Sequence, residues 1–112
     1  MKIDSEIRGD VLLLTLGDPR VDAAVAMVFK ERVRTLIQGF DGRVMIDMSR
    51  VEFLDSSGLG ALVAVMKLLD NDRRLELAGC GPIVRKVLTL TRMDSVFVLH
   101  DAPPAGSDLD AA

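Results

Sequence analysis

The chain opens on an alternating stretch and then changes period. In "KIDSEIRGDVLLLTL" Ile3, Ser5 and Ile7 alternate with charged or polar residues, Gly9-Asp10 supplies turn chemistry, and "VLLLTL" follows as an unbroken apolar run. Alternation marks a strand with one wet face, and a continuous run marks a strand covered on both faces. The pattern therefore predicts a β-hairpin at the start. "GDPRVD" interrupts it with Gly17 and Pro19, and Asp22 stands where it can cap a following helix. That helix, "AAVAMVFKERVRTLIQ", places Val25, Val28, Phe29, Val33, Leu36 and Ile37 at three- and four-residue steps. Lys30, Glu31 and Arg34 fall off the stripe, and Gly39 is a stop.

The period switches again at "RVMIDMS", a short apolar strand, and again at "GLGALVAVMKLL", a helix beginning at Gly58 with Leu59, Leu62, Val63, Met66 and Leu69 on one side. "DNDRR" turns the chain and "LELA" is a strand. "GCGP" leads into the helix "IVRKVLTLTR", with Pro82 suited to its first turn and Ile83, Val84, Val87, Leu88 and Thr91 directed inward. "SVFVL" is the final strand. The predicted order is β-β-α-β-α-β-α-β. Strands alternating with helices imply right-handed crossovers and a mostly parallel sheet, here with an antiparallel N-terminal hairpin at its edge and helices packed against it. In an α/β sheet of this kind the loops at the strand C-terminal ends carry the site. "FLDSS" is one of them.

Composition narrows the reading. The 112 residues are 49% hydrophobic but only 4% aromatic, with no Trp or Tyr, so Val, Leu, Ile, Met and Ala must build the core, and the six methionines read as core filler. The net charge of -3 comes from 17 acids against 14 bases, and three of those acids, Asp101, Asp108 and Asp110, lie in a C-terminal stretch without Lys or Arg. The remainder is balanced, which argues against nucleic acid as a partner. The tail "HDAPPAGSDLDAA" offers little to bury. Residues 101–112 are accordingly expected to be a mobile acidic tail on a domain of residues 1–100. The charged start carries no leader pattern, and no apolar run approaches the ~20 residues of a membrane helix. A small cytoplasmic domain without membrane insertion is expected. Cys80, alone and flanked by glycines, is read as inert, and Arg85 and Lys86 as solvated charge.

The candidate chemistry sits in "EFLDSSGLGALV". Four readings of Ser56 and Ser57 stand side by side. Asp55, Ser56 or Ser57 can cap the second long helix, a contribution of ~1 kcal/mol. A nucleophilic serine would need a base; the elbow pattern G-x-S-x-G lacks its first glycine here, and His100, the one histidine, borders the tail. A phosphate-binding loop would need more than Gly58-x-Gly60, with no G-K-[ST] following. Finally, a serine at a helix start can accept a phosphoryl group, gaining about -1.5 to -2 charge in a place where unpaired N–H donors tolerate it. No catalytic residue, metal site or cofactor is assigned.

"FLDSSGLGALV" resembles the signature of the STAS domain, shared by sulfate transporters and anti-sigma factor antagonists. The run 55–60 is similar to the phosphorylation loop of the bacterial anti-anti-sigma factors. The likeness extends over about residues 3–100, including "VMIDMSRVEF" before the loop. It implies a STAS-like α/β fold and a phosphorylation-switched interaction module without catalytic activity. Ser57, the serine immediately before the glycine, would be the modified residue. Asp22, Asp55, Ser56, Gly58 and Leu59 would form the partner-binding face. The implied partners are a serine kinase that doubles as anti-sigma factor, bound when Ser57 is unphosphorylated, and a PP2C-type phosphatase. Two features depart from the family pattern: "GDPRVD" is longer than the usual run from strand to helix, and the chain ends in "APPAGSDLDAA" where a further helix is common. The alternative is a constitutive STAS adaptor subunit of a lipid- or anion-transport assembly, in which Ser57 is only a helix cap.

Overall fold

A computed structural model describes residues 1–70 and 72–104. The strands are β1 (Ile3–Arg8), β2 (Val11–Leu16), β3 (Arg20–Val21), β4 (Arg43–Asp47), β5 (Phe53–Leu54), β6 (Glu76–Ala78) and β7 (Val98–His100). The helices are α1 (Ala26–Ile37), α2 (Ser56–Leu68) and α3 (Pro82–Leu90), with a 3-10 turn at Met93–Ser95. A five-stranded sheet runs β1-β2-β4-β6-β7, and β3 and β5 form a separate two-stranded sheet. β1 pairs with β2 antiparallel; every other pairing is parallel. The hairpin closes through Gly9, whose φ of 64° is costly for a side-chain-bearing residue.

Register explains the apolar run in β2. Leu12 lies opposite Val44, and Leu14 opposite Ile46, which in turn meets Leu77. These face the helices and join Phe29, Val33, Leu62, Val65 and Leu88 in the main core. Alternate residues point the other way. Val11, Leu13, Met45 and Ala78 form a second, smaller buried cluster on the far face. Register places Arg43, Glu76 and His100 on that far face as well. Glu76 is buried there, and Arg43 donates two hydrogen bonds to its carboxylate, Nε at 2.8 Å and Nη2 at 2.7 Å, while His100 Nε2 lies 2.7 Å from Oε1.

The helix stripes are narrower than their periodicity predicts. Val28 is 48% exposed and Ile83 58%, against expectation, and Thr91 faces solvent. Phe29, Val33 and Ile37 bury α1, and Val84 and Leu88 bury α3; Val28 and Ile83 each sit one residue, hence ~100°, to the side. On α2 the buried line is Gly58, Ala61, Leu62 and Val65, while Leu59, Val63 and Met66 only pack against the core's margin. Aliphatic residues do not build the core alone either. Phe29 and Phe97 are among its largest fully buried side chains.

The final strand begins later than "SVFVL" predicts. The Arg74 guanidinium donates to the carbonyls of Ser95 (2.6 Å), Val96 (3.2 Å) and Phe97 (3.2 Å), so these acceptors are satisfied by a side chain and the chain coils before β7. Beyond β7, Asp101 pairs with Arg85 at 3.2 Å and the Pro104 carbonyl accepts from Arg8. The rest of the predicted acidic tail, 105–112, lies outside the described residues.

Candidate functional site

The site is built on the small sheet, in a stretch where the sequence pattern predicts only a break. Pro19 O accepts from the amides of Glu52 (2.7 Å) and Phe53 (3.1 Å), Arg20 aligns with Phe53, and Val21 with Leu54. The Arg20 guanidinium lies 4.1 Å over the Phe53 ring, a cation–π contact across the pair. The strands are parallel, so the next residue of each, Asp22 and Asp55, leaves the sheet on the same side.

Asp55 is the cap of α2. Its Oδ1 accepts from the Gly58 amide at 2.8 Å, and its Oδ2 accepts from the Ala23 amide at 3.3 Å. One carboxylate therefore ties the start of α2 to the chain leaving β3. Asp22 does not cap α1 as predicted. The residue at that cap is Val25, which makes no side-chain cap bond. Asp22 instead organises an extra turn ahead of the helix. Its Oδ1 accepts from Ala24 N (3.1 Å), its carbonyl from Val25 N (3.1 Å) and Ala26 N (2.9 Å), and its Oδ2 meets Arg20 Nε at 3.2 Å. The longer "GDPRVD" is absorbed by β3 and this turn.

Because Asp55 takes the cap, α2 starts two residues before Gly58. Ser56 and Ser57 occupy its first turn, and neither caps it. Both are exposed, and among the described residues neither hydroxyl makes a hydrogen bond. Gly58, expected on the partner face, is buried. A Cβ there would stand 2.0 Å from Val21 O and 2.8 Å from Leu54 Cδ1. Its smallness lets α2 sit directly on the small sheet. Leu59 is half-buried at the edge of the core. The five predicted face residues and Ser57 are thus contiguous, with Ser56 and Ser57 exposed, Asp22, Asp55 and Leu59 half-buried, and Gly58 buried beneath them.

His100 sits with Glu76 on the far face of the main sheet, whereas Ser57 rides on a helix over the near face. The sole imidazole is not a base for that serine. Sequence reasoning missed the groove between α1 and α2, ≈ 300 Å³, lined by Ala23, Ala26, Met27, Lys30, Ser57 and Gly60 among others. Met27, counted as core filler, is 73% exposed at its edge. The available signal was the run of small residues Ala23, Ala24, Ala26, Gly60, Ala61 and Ala64, which lets two helices approach while filling little of the space between them.

Residues 2–108 match the STAS domain family. The chain belongs to it. A curated relative of this STAS domain is the anti-sigma-F factor antagonist RsfB of Mycobacterium tuberculosis, 28% identical over 96 residues, which span 82% of this chain and 78% of RsfB. Among solved structures, an anti-sigma factor antagonist from Mycobacterium paratuberculosis superposes with a TM-score of 0.78 at 25% identity, covering 98% of this chain and 92% of that one. SpoIIAA, a Bacillus cell fate determinant solved in its phosphorylated form, superposes with a TM-score of 0.65 at 20% identity, over 98% of each chain. The STAS fold expected from the sequence, a mostly parallel sheet with an antiparallel β1–β2 hairpin and three packed helices, is the fold observed. Among the described residues no helix is long and apolar enough to cross a membrane.

Proposed function

We propose that this protein is an anti-sigma factor antagonist switched by phosphorylation of Ser57. Unmodified, it docks a serine kinase that doubles as an anti-sigma factor, through Asp22, Asp55, Ser56 and Leu59, with Gly58 holding the helix start in place. Docking frees the sigma factor for transcription. The kinase then transfers the γ-phosphoryl of ATP to Ser57 Oγ; ADP leaves and the hydroxyl proton is lost. The modified protein dissociates, and a PP2C-type phosphatase hydrolyses the phosphoserine. The chain itself performs no catalysis and works in the cytoplasm.

The observation that carries this reading is the division of labour at the start of α2. Asp55 does the capping, so the Ser57 hydroxyl is exposed and has no structural duty. A phosphate there adds about -1.5 to -2 charge beside Asp22 and Asp55, and any partner surface that had desolvated this face must then solvate or repel it. The scaffold need not move, because Asp55 still holds both Gly58 and Ala23. That RsfB is a named antagonist and that SpoIIAA exists in a phosphorylated form both support the reading.

Intact-mass measurement and phosphosite mapping on protein from its native cells, with a native pull-down, test it. One added phosphate on Ser57 and a co-purifying serine kinase are expected. Ser57→Ala should bind that kinase without being phosphorylated, and Ser57→Asp should bind it weakly. Equal kinase affinity for wild type and both variants, or a transporter subunit recovered with no kinase, overturns the switch. The second outcome would favour a constitutive adaptor.

A further inference from the structure

The α1–α2 groove contains a cation that the rest of the fold does not engage. Lys30 is half-buried along it, and among the described residues it makes no hydrogen bond or ion pair. Its neighbours on α1 differ, since Glu31 and Arg34 pair with each other at 3.6 Å. The other charges around Ser57 are committed. Asp55 holds the Gly58 and Ala23 amides, Asp22 holds the Ala24 amide and Arg20, and Arg20 also covers the Phe53 ring.

Direction favours an encounter between Lys30 and Ser57. The bond from Asp55 to the Ala23 amide places the approach to α1 beside the start of α2. Helical side chains lean toward their own N-terminus, so Lys30 leans toward the end of the groove where Ser57 stands. Most of the other residues lining the groove with them, Ala23, Ala26, Gly60, Ala61 and Ala64, carry at most a methyl group, and Met27 is largely turned out to solvent.

We infer that Lys30 is the internal counter-ion for a phosphate on Ser57, meeting it across the α1–α2 groove. The inference rests on Ser57 as the phosphate acceptor and adds a mechanism of release. In the modified protein a lysine–phosphate pair closes the groove beside the docking face, so the surface a partner meets changes in shape as well as in charge.

The test uses the full chain with phosphoserine genetically encoded at position 57, titrated by 31P NMR. A facing cation favours the phosphate dianion, so its second ionisation falls at lower pH. Lys30→Gln should raise the midpoint by about half a pH unit at low salt, the effect of one nearby charge in largely aqueous surroundings. Lys30→Arg should restore it, and 1 M NaCl, where the Debye length is only ~3 Å, should shrink the difference. Lys30→Met serves as a second neutral variant, and unchanged urea midpoints of the unmodified variants establish that they fold. Equal phosphate midpoints in wild type, Lys30→Gln and Lys30→Met at low salt overturn the inference. No kinase is involved, so the two readings fail separately. Native protein without phosphate refutes the switch but not the pairing, and equal midpoints refute the pairing but not the switch.

Discussion

Two glycines, two residues apart on the same helix, should respond to alanine with opposite signs. At Gly58 a Cβ would stand 2.0 Å from Val21 O, a backbone atom that cannot rotate away, and 2.8 Å from Leu54 Cδ1. At Gly60 a Cβ would meet nothing within 4 Å. Alanine is favoured over glycine inside a helix by about 1 kcal/mol. Gly60→Ala should therefore gain up to about that much. Gly58→Ala gains the same propensity but must push α2 off the small sheet, and overpacking of this kind costs about 1–3 kcal/mol or more. The displaced atom, Val21 O, also accepts from Asp55 N at 3.4 Å, so the shift loosens the junction of Asp22 and Asp55 as well. The net expectation is a loss of about 1–2 kcal/mol for Gly58→Ala, hence a gap of about 2–3 kcal/mol between the variants. Urea denaturation reads this as midpoints moving in opposite directions with unchanged slope. If Gly58→Ala proves as stable as Gly60→Ala, the close approach of α2 to β3 is not the reason for glycine at 58, and the placement of the serines above it loses its support.

Three further outcomes follow from the same geometry. Asp55→Ala should cost about 1 kcal/mol through loss of the cap, whereas Ser57→Ala should stay within about 0.5 kcal/mol of wild type in the same denaturation assay; a Ser57→Ala loss as large as Asp55→Ala would return the cap to the serine. The Arg43 guanidinium, with help from His100 and against the cost of burial, holds the Glu76 carboxyl below the usual carboxylate range. A depressed folded-state value means stability that is present above the unfolded-state value and lost as pH falls through the folded one. Acid unfolding curves of wild type should therefore steepen below the ordinary glutamate range, and those of Glu76→Gln should be flatter there. Burial pushes the Cys80 thiol up, so a thiol-specific reagent at neutral pH should modify it only as fast as the protein opens, with denaturant accelerating the reaction by orders of magnitude.

The fold was largely legible because its elements are governed by period. The hairpin, the three helices and the parallel strands each carry their own alternation or stripe. The differences arise where period is a poor guide to environment. Val28 and Ile83 obey helical spacing yet face solvent, because a helix resting on one layer buries a narrow arc. Gly58 and Ala61 are buried yet weigh little in any hydrophobic pattern. The stretch before β7 departs from its strand pattern because Arg74, twenty-odd residues away in sequence, satisfies its carbonyls. Side-chain reach of that length leaves no local trace.

The site divides along the same line. "DSSG" announces a polar helix start within four residues, and a local motif suffices to find it. What it does not disclose is which residue caps, and that assignment separates a structural serine from a free one. The answer depends on Asp55 having two oxygens and two tasks, one local at Gly58 and one remote at Ala23. The remote task exists only because β3 and β5 pair, and two-residue strands have no period to read. The pairing of Val21 with Leu54 is thus the step on which the site depends. It brings Asp22 to Asp55, seats Gly58 under Val21 O, and leaves the hydroxyl of Ser57 facing outward over a groove of small side chains. Any substitution that unpairs those strands should disturb the proposed docking and modification together while leaving the main sheet intact.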